Sequence, residues 1–192
     1  MSTYIAFLRA VNVAGHASVR MSDVRDAFAA AGCRNVRTYI QSGNVIFESA
    51  ERSPGAILQR VRTKLRDVMG DAPEIILRTA GELQELIRRA PFKGAEAETG
   101  IKLYVAFLSQ RPRSRPDFPL VSDKEALEVV GMSGRDVFVV SRRKANGLFG
   151  FPNLFIENEF GGTATSRNWS TVTRIVSMCP KPQASTKIKG NP

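Results

Sequence analysis

Val36-Arg-Thr-Tyr-Ile-Gln-Ser-Gly-Asn-Val-Ile-Phe47 is the stretch that decides the fold. Val36, Thr38 and Ile40 alternate with other residues, Ser42-Gly43 carries turn chemistry, and Val45-Ile-Phe47 resumes β character, so the segment reads as a β-hairpin. Upstream, Met21, Val24, Ala27, Phe28 and Ala31 recur at helical spacing. Ser22 reads as the N-cap and Gly32 as the stop, which predicts a helix over about residues 21–32. Before it, Thr3-Tyr-Ile-Ala-Phe-Leu-Arg9 is an apolar, strand-like run, and residues 12–18 read as a loop around Gly15. Downstream, Ser53-Pro54 supplies a cap and a first-turn proline, and Ile57, Val61, Leu65 and Val68 make one apolar helical face ending at Gly70. Glu74-Ile-Ile-Leu-Arg78 is a fourth strand. The order β-α-β-β-α-β is the split βαβ pattern of a ferredoxin-like sandwich.

The remainder is again α plus β. Thr79-x-x-Glu82 is a capping box opening a helix that must stop before Pro91, and residues 101–108 alternate as a strand. Residues 127–130 and 136–141, with Gly131 and Gly134 between them, read as another hairpin. Leu154, Phe155 and Phe160, then Val172, Ile175, Val176 and Cys179, describe two closing helices separated by Gly161-Gly162. The expected organisation is an α+β fold: a ferredoxin-like lobe over residues 1–78, a second α+β lobe over 79–179 and a basic flexible tail over 180–192. Two lobes of similar size suggest a structural duplication, although no residue-level repeat stands out to support it.

With 192 residues, 43% hydrophobic and 24% charged, the chain can bury a core without disulfides. Cys33 and Cys179 stand far apart and in no metal-ligand spacing, which fits a reducing cytoplasm and argues against a structural zinc site. No run approaches the roughly 18 apolar residues that would cross a bilayer. A formal net charge of +10 attracts polyanions, so nucleic acid or a small anionic ligand is the expected partner, with no membrane involved. Some of that charge sits where flexibility is expected. Arg111, Arg113 and Arg115 alternate with Pro and Ser, and Lys181, Lys187 and Lys189 lie in the tail, yet the chain remains basic without the tail lysines.

Catalytic signatures are scarce. His16 is the single histidine, Ser42 lacks a nucleophile elbow, and no glycine-rich phosphate loop is present, so neither a metal nor a cofactor is expected. Cys33 follows a helix end and reads as a packed structural thiol. The topology instead brings polar groups together. Strands one and three are antiparallel neighbours, so Arg9 and Asn12 leaving one meet Gln41, Ser42 and Asn44 entering the other, forming a rim suited to binding anions rather than to acid-base work. The plain alternative is that these side chains only fix the turns. Thr165-Ser-Arg-Asn-Trp169 precedes the last helix, where Arg167, Asn168 and free backbone N–H groups would hold a phosphate or carboxylate, or where Thr165 or Asn168 would simply cap the helix.

Phe7-Leu-Arg-Ala-Val-Asn-Val-Ala-Gly15, Met21, Arg37-Thr-Tyr-Ile-Gln-Ser-Gly-Asn-Val-Ile-Phe47 and Thr165-Ser-Arg-Asn-Trp-Ser-Thr171 together resemble the bacterial family catalogued as domain of unknown function 1697. The resemblance implies a small cytoplasmic protein of two α+β parts, the first ferredoxin-like, and brings no established activity. Ala10 and Ala14 stand where that family usually has glycine and His16 where it commonly has lysine, which argues against catalysis by His16.

The function expected from these residues is binding of an anionic ligand, nucleic acid included, through Arg9, Asn12, Gln41, Ser42, Asn44, Arg167 and Asn168. RNA-recognition domains share the strand order, but their strand-three signature is missing from Asn44-Val-Ile-Phe-Glu-Ser49. Two alternatives stay open: an enzyme acting on a small phosphorylated or carboxylated substrate at the same rim, and a protein-interaction module.

Overall fold

A computed structural model of the protein describes residues 1–11 and 19–180. The first half runs β1 (Ser2–Leu8), α1 (Met21–Ala30), β2 (Arg34–Tyr39), β3 (Asn44–Ser49), α2 (Pro54–Met69), β4 (Ile75–Thr79) and α3 (Ala80–Arg88). Its antiparallel sheet has the order β2-β3-β1-β4. This is the order a β-α-β-β-α-β chain takes when each helical crossover leaves one strand's space between its ends. The second half runs β5 (Ile101–Leu108), β6 (Leu120–Ser122), β7 (Leu127–Ser133), β8 (Asp136–Arg142), α4 (Asn153–Phe160), β9 (Ala164–Asn168) and α5 (Trp169–Ser177). Its strands are ordered β6-β7-β8-β5-β9, so the protein is α+β throughout.

Local chemistry explains the boundaries. Ser53 Oγ accepts from the Ala56 N–H at the start of α2. At α3, Thr79 Oγ1 accepts from the Glu82 N–H at 3.1 Å while Glu82 Oε2 accepts from the Thr79 N–H at 2.7 Å, the reciprocal capping box the sequence predicts. The hairpin turns at Gly43, whose φ is 72° and whose missing Cβ would stand 2.9 Å from the Cβ of Leu8, so only glycine fits both the dihedral and the space. Helix α1 begins one residue before the expected cap. Arg20 occupies the N-cap without a side-chain bond, and Ser22 lies inside the helix, donating to Asp23.

The helices divide the sheet faces. One face of the first sheet is covered by α1 and α2, through Val24, Phe28, Ile57, Val61 and Leu65 against Tyr4, Ala6, Leu8 and Phe47. The outer face of the second is covered by α4 through Ile156 and Phe160. The two inner faces pack on each other with α3 and α5 closing the same core, and Phe7 stacks on Phe107 with ring centroids 4.1 Å apart. Residues Tyr4 to Leu8 and Tyr104 to Leu108 are buried on both sides, so the alternation expected over 101–108 stops at Leu103 and gives way to an unbroken apolar run like that of β1.

Sequence periodicity missed two strands. Residues 120–122 form β6, too short and too polar to signal itself, and residues 164–168, read as the approach to a helix, form β9 beside β5. The Pro- and Arg-rich segment read as flexible is tied to α4. Its Arg113 N–H donates to the Phe160 carbonyl at 2.9 Å and Ser114 Oγ to the Glu159 carbonyl at 3.1 Å. The expected tail over 180–192 lies outside the described residues from position 181 onward.

Four strands of the second sheet, β7-β8-β5-β9, match β2-β3-β1-β4 in order and direction. The register matches as well: Phe7 pairs with Asn44 as Phe107 pairs with Asp136, and Ile5 with Arg78 as Val105 with Arg167. Strands β1 and β5 carry Tyr-Ile-Ala-Phe-Leu and Tyr-Val-Ala-Phe-Leu, a residue-level repeat that sequence reading overlooked. In the second half, β6 and a loop replace the helix corresponding to α1.

Candidate functional site

Two buried arginines cross between the halves at equivalent positions. Arg167, next to last in β9, is 8% exposed and reaches six acceptors, all neutral. Its Nε donates to Asn44 Oδ1, its Nη1 to Thr165 Oγ1 and the Ser166 carbonyl, and its Nη2 to the carbonyls of Leu8, Ser42 and Gly43. Arg78, likewise next to last in its strand β4 and directly before the α3 cap, is 2% exposed. It donates to Asp136 Oδ1 at 2.8 Å and to the carbonyls of Leu77, Leu108 and Arg135. The Arg78 guanidinium lies over Phe107, 5.4 Å from the ring centroid, and that of Arg167 over Phe7 at 5.5 Å. One difference separates the two arrangements. Arg78 has a carboxylate partner, whereas Arg167 has an amide and forms no ion pair among the described residues. Burial pushes Arg167 down to about 10, which still leaves it a cation at neutral pH.

Arg167 forms one wall of a cleft of about 600 Å³ between the halves. Arg9 and Ser42 come from the ends of β1 and the β2–β3 turn, Ser166 and Asn168 from β9, and Asn153 from the start of α4, while Ile40, Tyr104 and Phe151 supply apolar surface. Two buried polar atoms on this wall, Ser166 Oγ and Asn153 Oδ1, have no hydrogen-bond partner among the described residues. Asn168 occupies the N-cap of α5 without its side chain bonding the helix, so among the described residues no side chain caps the first N–H groups of α5, beside Thr171, which also lines the cleft.

Four of the residues expected to bind the ligand therefore line one cleft: Arg9 and Ser42 from the expected rim, and Arg167 and Asn168 from the expected helix start. Their bonds refine the expectation. Arg9 donates to Glu157 at 3.1 Å and to the Ala164 carbonyl at 3.2 Å, so it bridges β1 to α4 and its charge is largely answered within the protein. Arg167 holds the chain from beneath the cleft, not from a helix start. Asn44 is fully buried behind the wall, donating to the Tyr39 carbonyl and Ser42 Oγ, and so positions Arg167 instead of facing a ligand. Gln41 is exposed on the turn and does not line the cleft. Asn12 and His16 lie outside the described residues. Ser166, Asn153, Tyr104 and Phe151 were missed, because residues so far apart in sequence meet only once β9 pairs with β5. One signal was legible: both halves place an arginine directly before the N-cap residue of a helix, Arg78-Thr79 and Arg167-Asn168.

Both cysteines are free thiols, and burial pushes Cys33 up to about 11 against a weaker opposing pull from Arg60. The thiolate fraction of Cys33 at pH 8 is then about 0.1%. Iodoacetamide at pH 8 is expected to label Cys33 far more slowly in the folded protein than in denaturant, as followed by mass spectrometry; equal rates would refute its buried placement. Because the folded value is raised, the stability this thiol contributes is complete below the unfolded thiol pKa and is lost as pH rises through about 11. Among the described residues no group of three or more His, Cys, Asp or Glu could hold a metal ion, and no helix is long and apolar enough to cross a membrane.

No curated protein matches the chain. Among solved structures, the conserved bacterial protein SP0830 from Streptococcus pneumoniae shares the fold with a TM-score of 0.62 at 19% identity, covering 92% of this chain and 98% of its own. The family model described as a protein of unknown function, DUF1697, matches residues 1–138, a span that takes in β1, the hairpin turn and Arg78 with its partner Asp136, and the chain belongs to that family.

Proposed function

We propose that the protein binds a small anionic ligand with an apolar body in the cleft between its halves. The observation that carries this reading is Arg167, a buried cation bonded only to neutral groups where its counterpart Arg78 has a carboxylate. An uncompensated charge in a poorly solvated wall is costly alone and favourable once an anion stands nearby. Further support comes from the open N–H groups at the start of α5, which add positive potential at the same wall, and from Ser166 Oγ, which is free to donate. Ile40, Tyr104 and Phe151 would contact the apolar part of the ligand. Among the described residues the lining contains no carboxylate, histidine or cysteine, which favours binding over general acid-base turnover. A reducing cytoplasm is the compartment this reading assumes, and duplication of one β-α-β-β-α-β-α unit is the origin it assumes for the paired arginines.

Calorimetric titration with phenyl phosphate, phenylacetate and uncharged 2-phenylethanol tests the proposal. The two anions are expected to bind and the alcohol not to. Asn44→Asp gives Arg167 the partner that Arg78 already has, and is expected to weaken anion binding at least tenfold, about 1.4 kcal/mol. Ser166→Ala removes a hydroxyl that is unsatisfied in the free protein, so it is expected to leave the melting temperature unchanged or slightly raised while weakening binding several-fold. Equal affinity for the alcohol and the anions, or anion binding indifferent to both substitutions, would overturn the reading.

A further inference from the structure

The end of the interface opposite the cleft is built around Arg78 and opens into a broader concavity of about 780 Å³. Six arginines line it against three carboxylates, and each carboxylate already has a partner. Asp136 accepts from Arg78, Glu82 accepts from Thr79 in the capping box, and Glu85 accepts from Arg88 and Arg89 at 2.7 to 2.9 Å. Arg111, Arg113, Arg115 and Arg135, by contrast, form no ion pair among the described residues.

Two of these cations, Arg113 and Arg135, are placed by the fold, while Arg111 and Arg115 stand exposed on either side of Arg113. The Arg113 stem lies over Gly161, where a Cβ would come within 2.7 Å of it, so the glycine leaves the room that the arginine fills. The neighbouring backbone is fixed by the bonds from Arg113 and Ser114 to the end of α4. Arg135 sits half-buried on the β7–β8 turn, and among the described residues its guanidinium makes one long hydrogen bond, 3.4 Å to the Ser109 carbonyl. Burial pushes Arg135 down, Arg78 and Arg111 push it the same way, and Glu82 and Asp136 pull against them without reversing the direction, so an anion entering here would favour its charged form.

We infer that this basin is a second binding site, for a small ligand carrying two or more phosphoryl groups. Arginine forks match phosphate oxygens two bonds at a time, and four unpaired guanidinium groups around one concavity suit several phosphoryl groups better than a single carboxylate. The volume lies in the range of small-molecule sites. Among the described residues no aromatic side chain lines the basin, so these residues offer no platform on which the bases of a single strand would stack.

The test is calorimetric titration of the full chain with sodium tripolyphosphate and with inorganic phosphate at two salt concentrations. The variants are Arg135→Gln, the double substitution Arg111→Gln with Arg115→Gln, and Arg25→Gln on the far surface of α1 as a control for net charge. Tripolyphosphate is expected to bind at least tenfold more tightly than phosphate. Its affinity should fall with salt, drop at least tenfold in Arg135→Gln and in the double variant, and hold within twofold in Arg25→Gln. The double variant alters exposed side chains and keeps the assay decisive if Arg135→Gln fails to fold. Absence of tripolyphosphate binding, or an equal loss in Arg25→Gln, would overturn the site. A short RNA duplex that binds more tightly than tripolyphosphate and loses affinity in the same two variants would overturn the small-ligand assignment in favour of a nucleic-acid backbone.

Discussion

Arg167→Ala is expected to lower the stability of the protein by about 4 kcal/mol or more, a large share of the roughly 5–15 kcal/mol typical of folded domains. The substitution leaves Asn44 Oδ1, Thr165 Oγ1 and the carbonyls of Leu8, Ser42 and Ser166 without their donor in the interior. Each buried polar group left unpaired costs about 1–3 kcal/mol, and water entering the vacated space offsets part of the total. At roughly 2–4 °C per kcal/mol for a chain of this size, the melting temperature should fall by about 8–16 °C. Circular dichroism on heating measures it. Arg167→Lys keeps a charge but cannot present the guanidinium fork, so its loss should be intermediate. A melting temperature within about 3 °C of the wild type for Arg167→Ala would mean that the clasp contributes little.

The second large effect lies at the other crossing. Arg78→Ala is expected to cost about 3–5 kcal/mol, because it leaves the Asp136 carboxylate, 8% exposed, without its partner in the interior. Asp136→Leu should cost a similar amount by isolating Arg78. Asp136→Asn, however, reproduces the arrangement that Asn44 and Arg167 already use, retaining an acceptor for the guanidinium, and should cost only about 1 kcal/mol. Replacing both partners, Arg78→Met with Asp136→Leu, should cost clearly less than the sum of the two single changes. Urea unfolding of the four variants gives these differences directly. If Asp136→Asn proves as damaging as Asp136→Leu, the carboxylate charge itself is required and the equivalence between the two crossings fails.

Much of this fold was legible because its local signals agree. Ser53-Pro54, the Thr79 and Glu82 box and the Ser42-Gly43 turn each mark a boundary by chemistry confined to a few residues, and each stands where expected. Strand β9 was not legible. Ala164-Thr-Ser-Arg-Asn168 has neither alternation nor an apolar run, and it is a strand only because β5 offers an edge and Arg167 finds acceptors across the interface. The candidate site divides along the same line. Arg9 and Ser42 were found because their strands are neighbours, whereas Ser166 and Asn153 join them through pairings that sequence spacing does not encode. The basin was passed over because alternating Pro, Ser and Arg is the composition of a loose loop, and the glycines that hold this one lie some fifty residues downstream.

The reciprocal crossing of Arg78 and Arg167 has a consequence for how the chain acquires its structure. Each arginine finds most of its acceptors in the other half, and the bond from Arg167 to the Leu8 carbonyl spans 159 positions. Neither half can complete its polar interior alone, and either one on its own would present Ile5, Phe7, Ile46 and Ile76, or Val105, Phe107, Phe138 and Val140, to water. Contacts of such long sequence separation are slow to form. A half that formed without the other would leave an apolar sheet face open to other chains, and both halves are expected to enter and leave the native state in a single cooperative transition.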